Sequence, residues 1–236
     1  MPLILEPMQE SDMEASVDIM WEAFRDSIMG IMYPQGFTKA AREHTLQTSL
    51  KAWRKDPEKY RKNKVIDTDL PDDDRYNKIV GTAWWKFYPK PRTDAEIEKE
   101  DEESKQDGLP PDIDVSMIEG FGAALQHAKK VHVAGKPHIV LHILTTHPNH
   151  HRRGVGAMHL EWGFEQANKL GLPVWLEASP IGRPLYARMG FDTVGWLPFD
   201  FTRFKNGKDL PHALMLRQPE RTKGVNSSVE DSITVA

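Results

Sequence analysis

Residues 146–163, THPNHHRRGVGAMHLEWG, set Arg152 and Arg153 against Gly154 and Gly156 directly before an apolar pattern of helical spacing. A glycine-containing turn that opens a helix points backbone N–H groups into open space, and the helix dipole favours an anion there. Two arginines add positive charge of the kind that suits phosphate better than a lone carboxylate. The turn therefore predicts a site for a phosphorylated ligand. Two familiar phosphate loops do not fit: no Gly-Lys-Ser/Thr ending is present, and His159 stands where a dinucleotide fingerprint needs a third small residue.

A run of histidines, His138, His142, His147, His150 and His151, raises the question of a metal. No acid lies within the run, the chain has no cysteine, and the arginine pair beside His150 and His151 would repel a cation. No metal site is expected. The lack of cysteine also excludes a disulfide framework and a thiol nucleophile, so no group can pass through a thiol of this protein.

Several elements must position the turn. LILEPM reads as a short strand, and the next segment as a helix capped by Ser11, with Val17, Met20, Trp21 and Phe24 on its apolar side. A second helix opens at Thr38, after the apolar connection IMGIMYPQG. KVID and NKIVGTAWWKFY read as an antiparallel pair, which puts Trp84 and Trp85 on opposite faces; one face is expected to pack the core and the other to be available for an acceptor pocket. VSMIEGFGAALQHAKKVHVAG is a helix, and PHIVLHIL a nearly continuous apolar strand suited to a central position. The turn then leads into a helix from about Val155 to Leu170, with Leu160, Phe164 and Ala167 inward and Gly171 as its stop. LPVWLEAS follows as a buried strand, so the segment reads as a βαβ unit with parallel strands. A short helix ending at Gly190 and two strands, FDTVGWLPF and HALMLRQ, complete the pattern.

The chain has 236 residues, 39% hydrophobic and 28% charged, with no run of the length that spans a bilayer. These values predict one domain over residues 1–218, an acidic insertion at about 90–114 and a polar tail at 219–236. No membrane association and no secretory signal are expected, and the default location is the cytoplasm. A formal charge of −4 gives no reason to expect nucleic-acid binding. The insertion holds ten acids against four bases, a local net of −6 that leaves the rest of the chain at +2. It reads as a solvated, partly disordered segment, or else as a field that attracts a cationic substrate.

The span LHILTTHPNHHRRGVGAMHLEWGFEQANKLGLPVWLEASPIGRPLYARMGFDTVG carries a strand, a Gln/Arg-x-x-Gly-x-Gly/Ala type of loop, a helix, a strand and a Leu-Tyr-x-x-x-Gly-Phe ending. In this order it resembles the GNAT superfamily of acyl-coenzyme A dependent N-acyltransferases. The resemblance implies an α/β (α+β) fold: a mixed, mostly antiparallel sheet of six or seven strands, flanked by helices, with a central parallel pair splayed around acyl-CoA. It implies that Leu144, Thr145 and Thr146 offer backbone groups to the pantetheine. His151, Arg152, Arg153, Gly154, Val155, Gly156 and Ala157 would wrap the pyrophosphate. His151 replaces the usual Gln or Arg, and Ser179 stands where many members carry an Asn that bonds the pantetheine.

The same resemblance implies acetyl transfer from acetyl-CoA, as co-substrate, to a primary amine of a small molecule or peptide in a ternary complex. Tyr186 matches the family's tyrosine general acid, and a phenol with a pKa near 10 can return a proton to a thiolate. For the base, His142 beside the expected wedge and Glu177 on the partner strand are both candidates, as is proton loss through water. Tyr33, Trp84 and Trp85 are the candidate acceptor-binding residues. An acyl-CoA-binding sensor or scaffold of the same fold is the competing reading. The acceptor, the acyl chain length and the choice between monomer and homodimer stay open.

Overall fold

The computed structural model describes residues 2–220. Seven strands form one sheet: β1 (Leu3–Pro7), β2 (Tyr60–Asp67), β3 (Ile79–Tyr88), β4 (His138–Thr146), β5 (Val174–Ala178), β6 (Asp192–Trp196) and β7 (Ala213–Arg217). Their order is β1-β2-β3-β4-β5-β7-β6, with every neighbouring pair antiparallel except β4–β5. The mixed, mostly antiparallel sheet with one central parallel pair is the expected architecture.

Seven α-helices lie in the described residues: α1 (Met13–Phe24), α2 (Ile28–Met32), α3 (Lys39–Lys55), α4 (Asp94–Lys105), α5 (Val115–His132), α6 (Val155–Leu170) and α7 (Arg183–Arg188). None is long and apolar enough to cross a membrane. One sheet face packs α6, through Ala83, Trp85, Phe87, Ile139 and Leu141 against Leu160, Phe164 and Ala167. The other carries α5 over Tyr88, Val140 and Trp175, and α1 and α3 over Trp84. Trp84 and Trp85 thus point to opposite faces, as strand alternation requires.

Local signals explain the element boundaries. Thr38 caps α3 by accepting a hydrogen bond from the Ala41 N–H at 3.2 Å. Gly171 closes α6 in the left-handed region at φ 65°. Ser11 is not the cap of α1: a 3-10 turn at Glu10–Asp12 precedes that helix, and the Asp12 carboxylate instead accepts the Gln9 N–H at 2.7 Å. The connection after α1 is not a plain loop, because its apolar residues fold as the single turn α2.

The acidic insertion departs most from expectation. Thr93 and Glu96 form a capping box, and α4 follows. Its acids are partnered across the fold: Glu100 binds Lys59 and Arg92 at 2.9 Å each and accepts the Tyr88 hydroxyl at 2.8 Å, while Glu103 pairs with Lys55 at 2.7 Å. Asp107, just beyond the helix, pairs with Lys51. The segment is solvated, as its charge count predicts, yet ordered, because Lys51 and Lys55 of α3 and Lys59 just before β2 lie opposite it. The proposed tail lies, from residue 221 on, outside the described residues.

Candidate active site

The central parallel pair is in register over only two residue pairs, Ile139↔Val174 and Val140↔Trp175. Beyond them β4 keeps its partner on one side only, where Gly81, Thr82 and Ala83 of β3 pair with Thr146, Thr145 and Leu144. On the other side no residue of β5, which keeps its ladder to β7 throughout, is registered with Leu141–Thr146, so this edge of β4 is open. A parallel pair that loses its ladder leaves backbone donors and acceptors unpaired, and these suit the amides of an extended ligand arm.

The turn at the end of β4 is preorganised by its own side chains. His147 Nδ1 accepts the Asn149 N–H at 3.3 Å, and a ring nitrogen of His151 lies 3.1 Å from the Thr146 carbonyl. Arg152 and Gly154 take positive φ, 64° and 88°, which turns successive N–H groups the same way. Gly154 gives α6 no side-chain cap, so the amino end of a sixteen-residue helix presents uncapped N–H groups. Gly156 lies close to both walls: a Cβ there would sit 2.8 Å from the end of the Leu185 side chain and 3.9 Å from that of Leu144.

The two arginines divide the work. Arg152 is exposed, whereas Arg153 is held at 2.6 Å from Asp67 at the end of β2, with its guanidinium also 2.7 Å from His150 Nδ1. That hydrogen bond holds the Asp67 carboxyl below its ordinary pKa. Arg153 thereby ties the turn to the end of β2. His159 is fully buried, with Nδ1 2.6 Å from Asn63 Oδ1, and burial pushes its pKa down to about 3. It ties α6 to β2 as a neutral imidazole. Of the histidines in the run, His147 and His150 meet edge to face at 5.8 Å, and among the described residues no three His, Asp or Glu side chains converge as metal ligands do.

At the far side of the opening stands Tyr186 on α7, half-buried, with its ring 5.8 Å from Phe191. Burial raises its phenol pKa, so it stays protonated at neutral pH. No hydrogen bond engages its hydroxyl among the described residues. The Ser179 hydroxyl accepts the Gly182 N–H at 3.2 Å and so fixes the turn that carries α7.

His142 occupies a bulge. Trp84 pairs with Ile143 and Trp85 with Leu141, which leaves His142 unpaired, exposed, and immediately past the point where β4 and β5 part. The protein around it and then Lys86, Lys129 and Lys62 hold its pKa well below the ordinary value, so the imidazole is neutral. Glu177 shares this face but is engaged: it accepts Trp175 Nε1–H at 2.7 Å and lies 3.7 Å from Lys129. His138 is buried and bonded to the Lys136 carbonyl at 2.6 Å.

Of the three residues predicted to bind an acceptor, none presents an open surface. Trp85 is 1% exposed, because Gly163 of α6 approaches so closely that a Cβ there would fall 2.2 Å from its ring. Trp84 is 7% exposed, and its Nε1–H is donated to Ser16 Oγ at 3.0 Å. Tyr33 is likewise buried and packs edge-on to Phe37 at 5.0 Å. The residues that sequence reasoning missed are Lys62 and Lys86, on the same face as His142; only the strand register brings them there.

Comparisons with known proteins agree with this geometry. The sequence profile of the acetyltransferase (GNAT) family matches residues 21–191. A stretch of 76 residues, 31% of the chain, is 37% identical to Probable acyltransferase SID5 of Ajellomyces capsulatus; the match spans 56% of that relative's length. Among solved structures, arylalkylamine N-acetyltransferase 2 from Aedes aegypti is similar with a TM-score of 0.64 at 14% identity, over 93% of this chain and 100% of that one. A histone acetyltransferase HPA2 and related acetyltransferase from Corynebacterium glutamicum is similar with a TM-score of 0.58 at 19% identity, over 95% and 100%. At such identities the structural likeness speaks for the fold.

Proposed function

This chain belongs to the GNAT acetyltransferase family, and from that premise we propose that it moves an acetyl group from acetyl-CoA directly to a primary amine of a small molecule or peptide. The observation that carries the proposal is the opening between β4 and β5, close to Gly156 and ending on the uncapped α6 amino terminus. Unpaired β4 backbone suits the two amides of pantetheine, and the turn at residues 151–157 suits a pyrophosphate. Acetyl-CoA supplies a thioester, whose carbonyl carbon is open to an amine.

The residues then have separable tasks. The acceptor must arrive as a neutral amine; its nitrogen bonds to the carbonyl carbon as the carbon–sulfur bond breaks. The Tyr186 phenol, protonated at neutral pH, gives its proton to the departing thiolate and regains one from solvent. Neutral His142 takes the proton released by the amine and, because three lysines disfavour an imidazolium there, passes it on through its exposed edge to water. Glu177, engaged by Trp175 and Lys129, orients that face rather than serving as the base. Ser179 contributes through the turn it fixes under Tyr186. Residues 1–218 act as one domain in this reading, in the cytoplasm, as a monomer or homodimer.

Calorimetric titration with acetyl-CoA, followed by thiol release with a panel of amines that includes arylalkylamines, tests the proposal. Micromolar binding with amine-dependent release is the expected result. Binding without release across the panel supports an acyl-CoA sensor instead, and no binding overturns the reading of the turn.

A further inference from the structure

Lys62, Lys86 and His142 meet on one face of the sheet where, among the described residues, no acid lies at ion-pair distance from either lysine; Glu100 and Glu177 act on Lys86 only from farther off. In the β2–β3 register Lys62 lies opposite Trp84 and Tyr60 opposite Lys86, so the two lysines are diagonal neighbours, with backbones ~7–8 Å apart. On β4 the bulge turns His142 out of the ladder between the partners of Trp84 and Trp85. Lys129 of α5 adds its charge to the same group, disfavouring a proton on His142 and on Lys86.

Lys62 is only 9% exposed, and its ammonium sits 3.6 Å from the centroid of the Trp84 ring. An aromatic face attracts a cation but accepts none of its strong hydrogen bonds. Among the described residues no carboxylate, carbonyl or hydroxyl pairs with Lys62 or Lys86, and no group bonds the His142 ring. The acids nearest the cluster are spent: Glu177 is held by Trp175 and Lys129, and Glu100 by Lys59, Arg92 and Tyr88. Buried charges are ordinarily paired, and their desolvation is costly when they are not. The mutual strain shows in the amines themselves: burial and then Lys86 bring the Lys62 pKa down to about 7, while burial and then Lys129 bring that of Lys86 down to about 8.

The phosphate-binding turn cannot supply the missing anion. Phosphates at the α6 amino terminus would lie at the Thr146 end of β4, on the face that packs α6, whereas the lysines occupy the opposite face. His142 adjoins the opening at the level where β4 and β5 part, so an anion held there would sit beside the reacting centre. We propose that Lys62, Lys86 and His142 form the recognition site for a carboxylate of the acceptor, making the substrate a primary amine that carries a carboxylate a few bonds from its amino group. The carboxylate is bound and not consumed. This inference rests on the transferase reading and narrows it.

The test is thiol release from acetyl-CoA by the full chain with paired acceptors: glycine, β-alanine, 4-aminobutanoate, 5-aminopentanoate and 6-aminohexanoate, each against its primary amide. For at least one length, kcat/KM for the acid should exceed that for its amide at least tenfold. Lys62→Met and Lys86→Met should each cut that ratio at least fivefold, and Lys62→Arg should restore much of it. Where Lys62→Met fails to fold, Lys86→Met gives the same readout. Amides equal to or better than acids at every length would overturn the proposal while leaving the transferase standing. A ratio untouched in both variants would also overturn it, assigning the lysines to the thioester oxygen shared by all acceptors. If no amine releases thiol, acid against amide is read as binding by calorimetry in the presence of coenzyme A; equal binding overturns the site, and tighter acid binding lost in Lys86→Met upholds it even as the transferase reading falls.

Discussion

On the α6 face of the sheet, Trp85 is sealed beneath Gly163 with apolar neighbours on every side, and its contacts are those of a close-packed interior. One residue earlier and on the opposite face, Trp84 is covered by an ammonium, beside a second lysine and a neutral histidine. Adjacent residues of one strand therefore serve two different solvents. The first face fixes the opening in which the coenzyme would lie. The second is apolar where α1, α3 and α5 cover it, and polar and underpaired only around Lys62, Lys86 and His142. The difference predicts that substitutions on the α6 face act through folding, and those across the sheet through selectivity.

The largest effect is expected where packing is tightest. Gly163→Val places a Cβ 2.2 Å from one Trp85 ring atom and 2.7 Å from two others. Neither the helix backbone nor a buried indole can yield cheaply, so the loss should reach about 3 kcal/mol or more. The urea midpoint measures it. An unchanged midpoint would mean that α6 can slide on the sheet, and the opening would then have no fixed floor.

Next in size is Tyr186→Phe, which keeps the ring against Phe191 and removes only the hydroxyl. Loss of a general acid should lower kcat tenfold or more, about 1.4 kcal/mol or above in the barrier. Affinity for acetyl-CoA by calorimetry should change less than twofold. A parallel loss of affinity would make Tyr186 a part of the wall rather than a proton donor.

A subtler test addresses the bond that ties the phosphate turn to β2. Asp67→Asn and Arg153→Met each break the 2.6 Å contact. Each should raise KM for acetyl-CoA a few-fold, and the double substitution should be no worse than the more severe single one. Additive effects would show that Arg153 touches the coenzyme itself in addition to positioning the turn.

The same contrast explains what could be read from the sequence. Most of the contiguous coenzyme unit is legible: the turn at residues 146–157, helix α6 with its inward residues and glycine stop, the parallel strands on either side and the short helix bearing Tyr186; the 3-10 turn before α1, the short α2 and the capping box of α4 are local too, yet are not read. Each is fixed by neighbours in the chain, through periodicity, capping and glycine. What depended on register was not. Trp84 and Trp85 were separable by face, but neither the Gly163 contact nor the lysine over Trp84 could be seen without knowing that residue 62 lies opposite 84. The order of the acidic insertion is hidden for a related reason: its charge is counted alone, while Lys51, Lys55 and Lys59, which pair with three of its acids, lie about forty to fifty-five residues earlier. The contact of Arg153 with Asp67 is hidden in the same way, since the two are distant in sequence and 2.6 Å apart in space.

The smallest effect, and the sharpest probe of the polar face, is the pH dependence of stability. In the folded chain the Lys62 amine titrates near a pKa of about 7 instead of its ordinary 10.5. Between these values the unfolded chain holds a proton that the folded chain has released, so stability rises with pH across that window; below about 7 the cost of burying the charge is felt in full. Lys62→Met removes the cost and keeps an apolar side chain over Trp84. At pH 6 it should raise the melting temperature, each kcal/mol of relieved cost corresponding to about 2–4 °C in a domain of this size. The gain should shrink toward zero as pH approaches 10.5, while Lys86, present in both proteins, largely cancels from the comparison. A lower melting temperature at pH 6 would mean that the contact with the Trp84 ring outweighs desolvation. The face would then be stable as it stands, and the need for an incoming anion would have to be argued from selectivity alone.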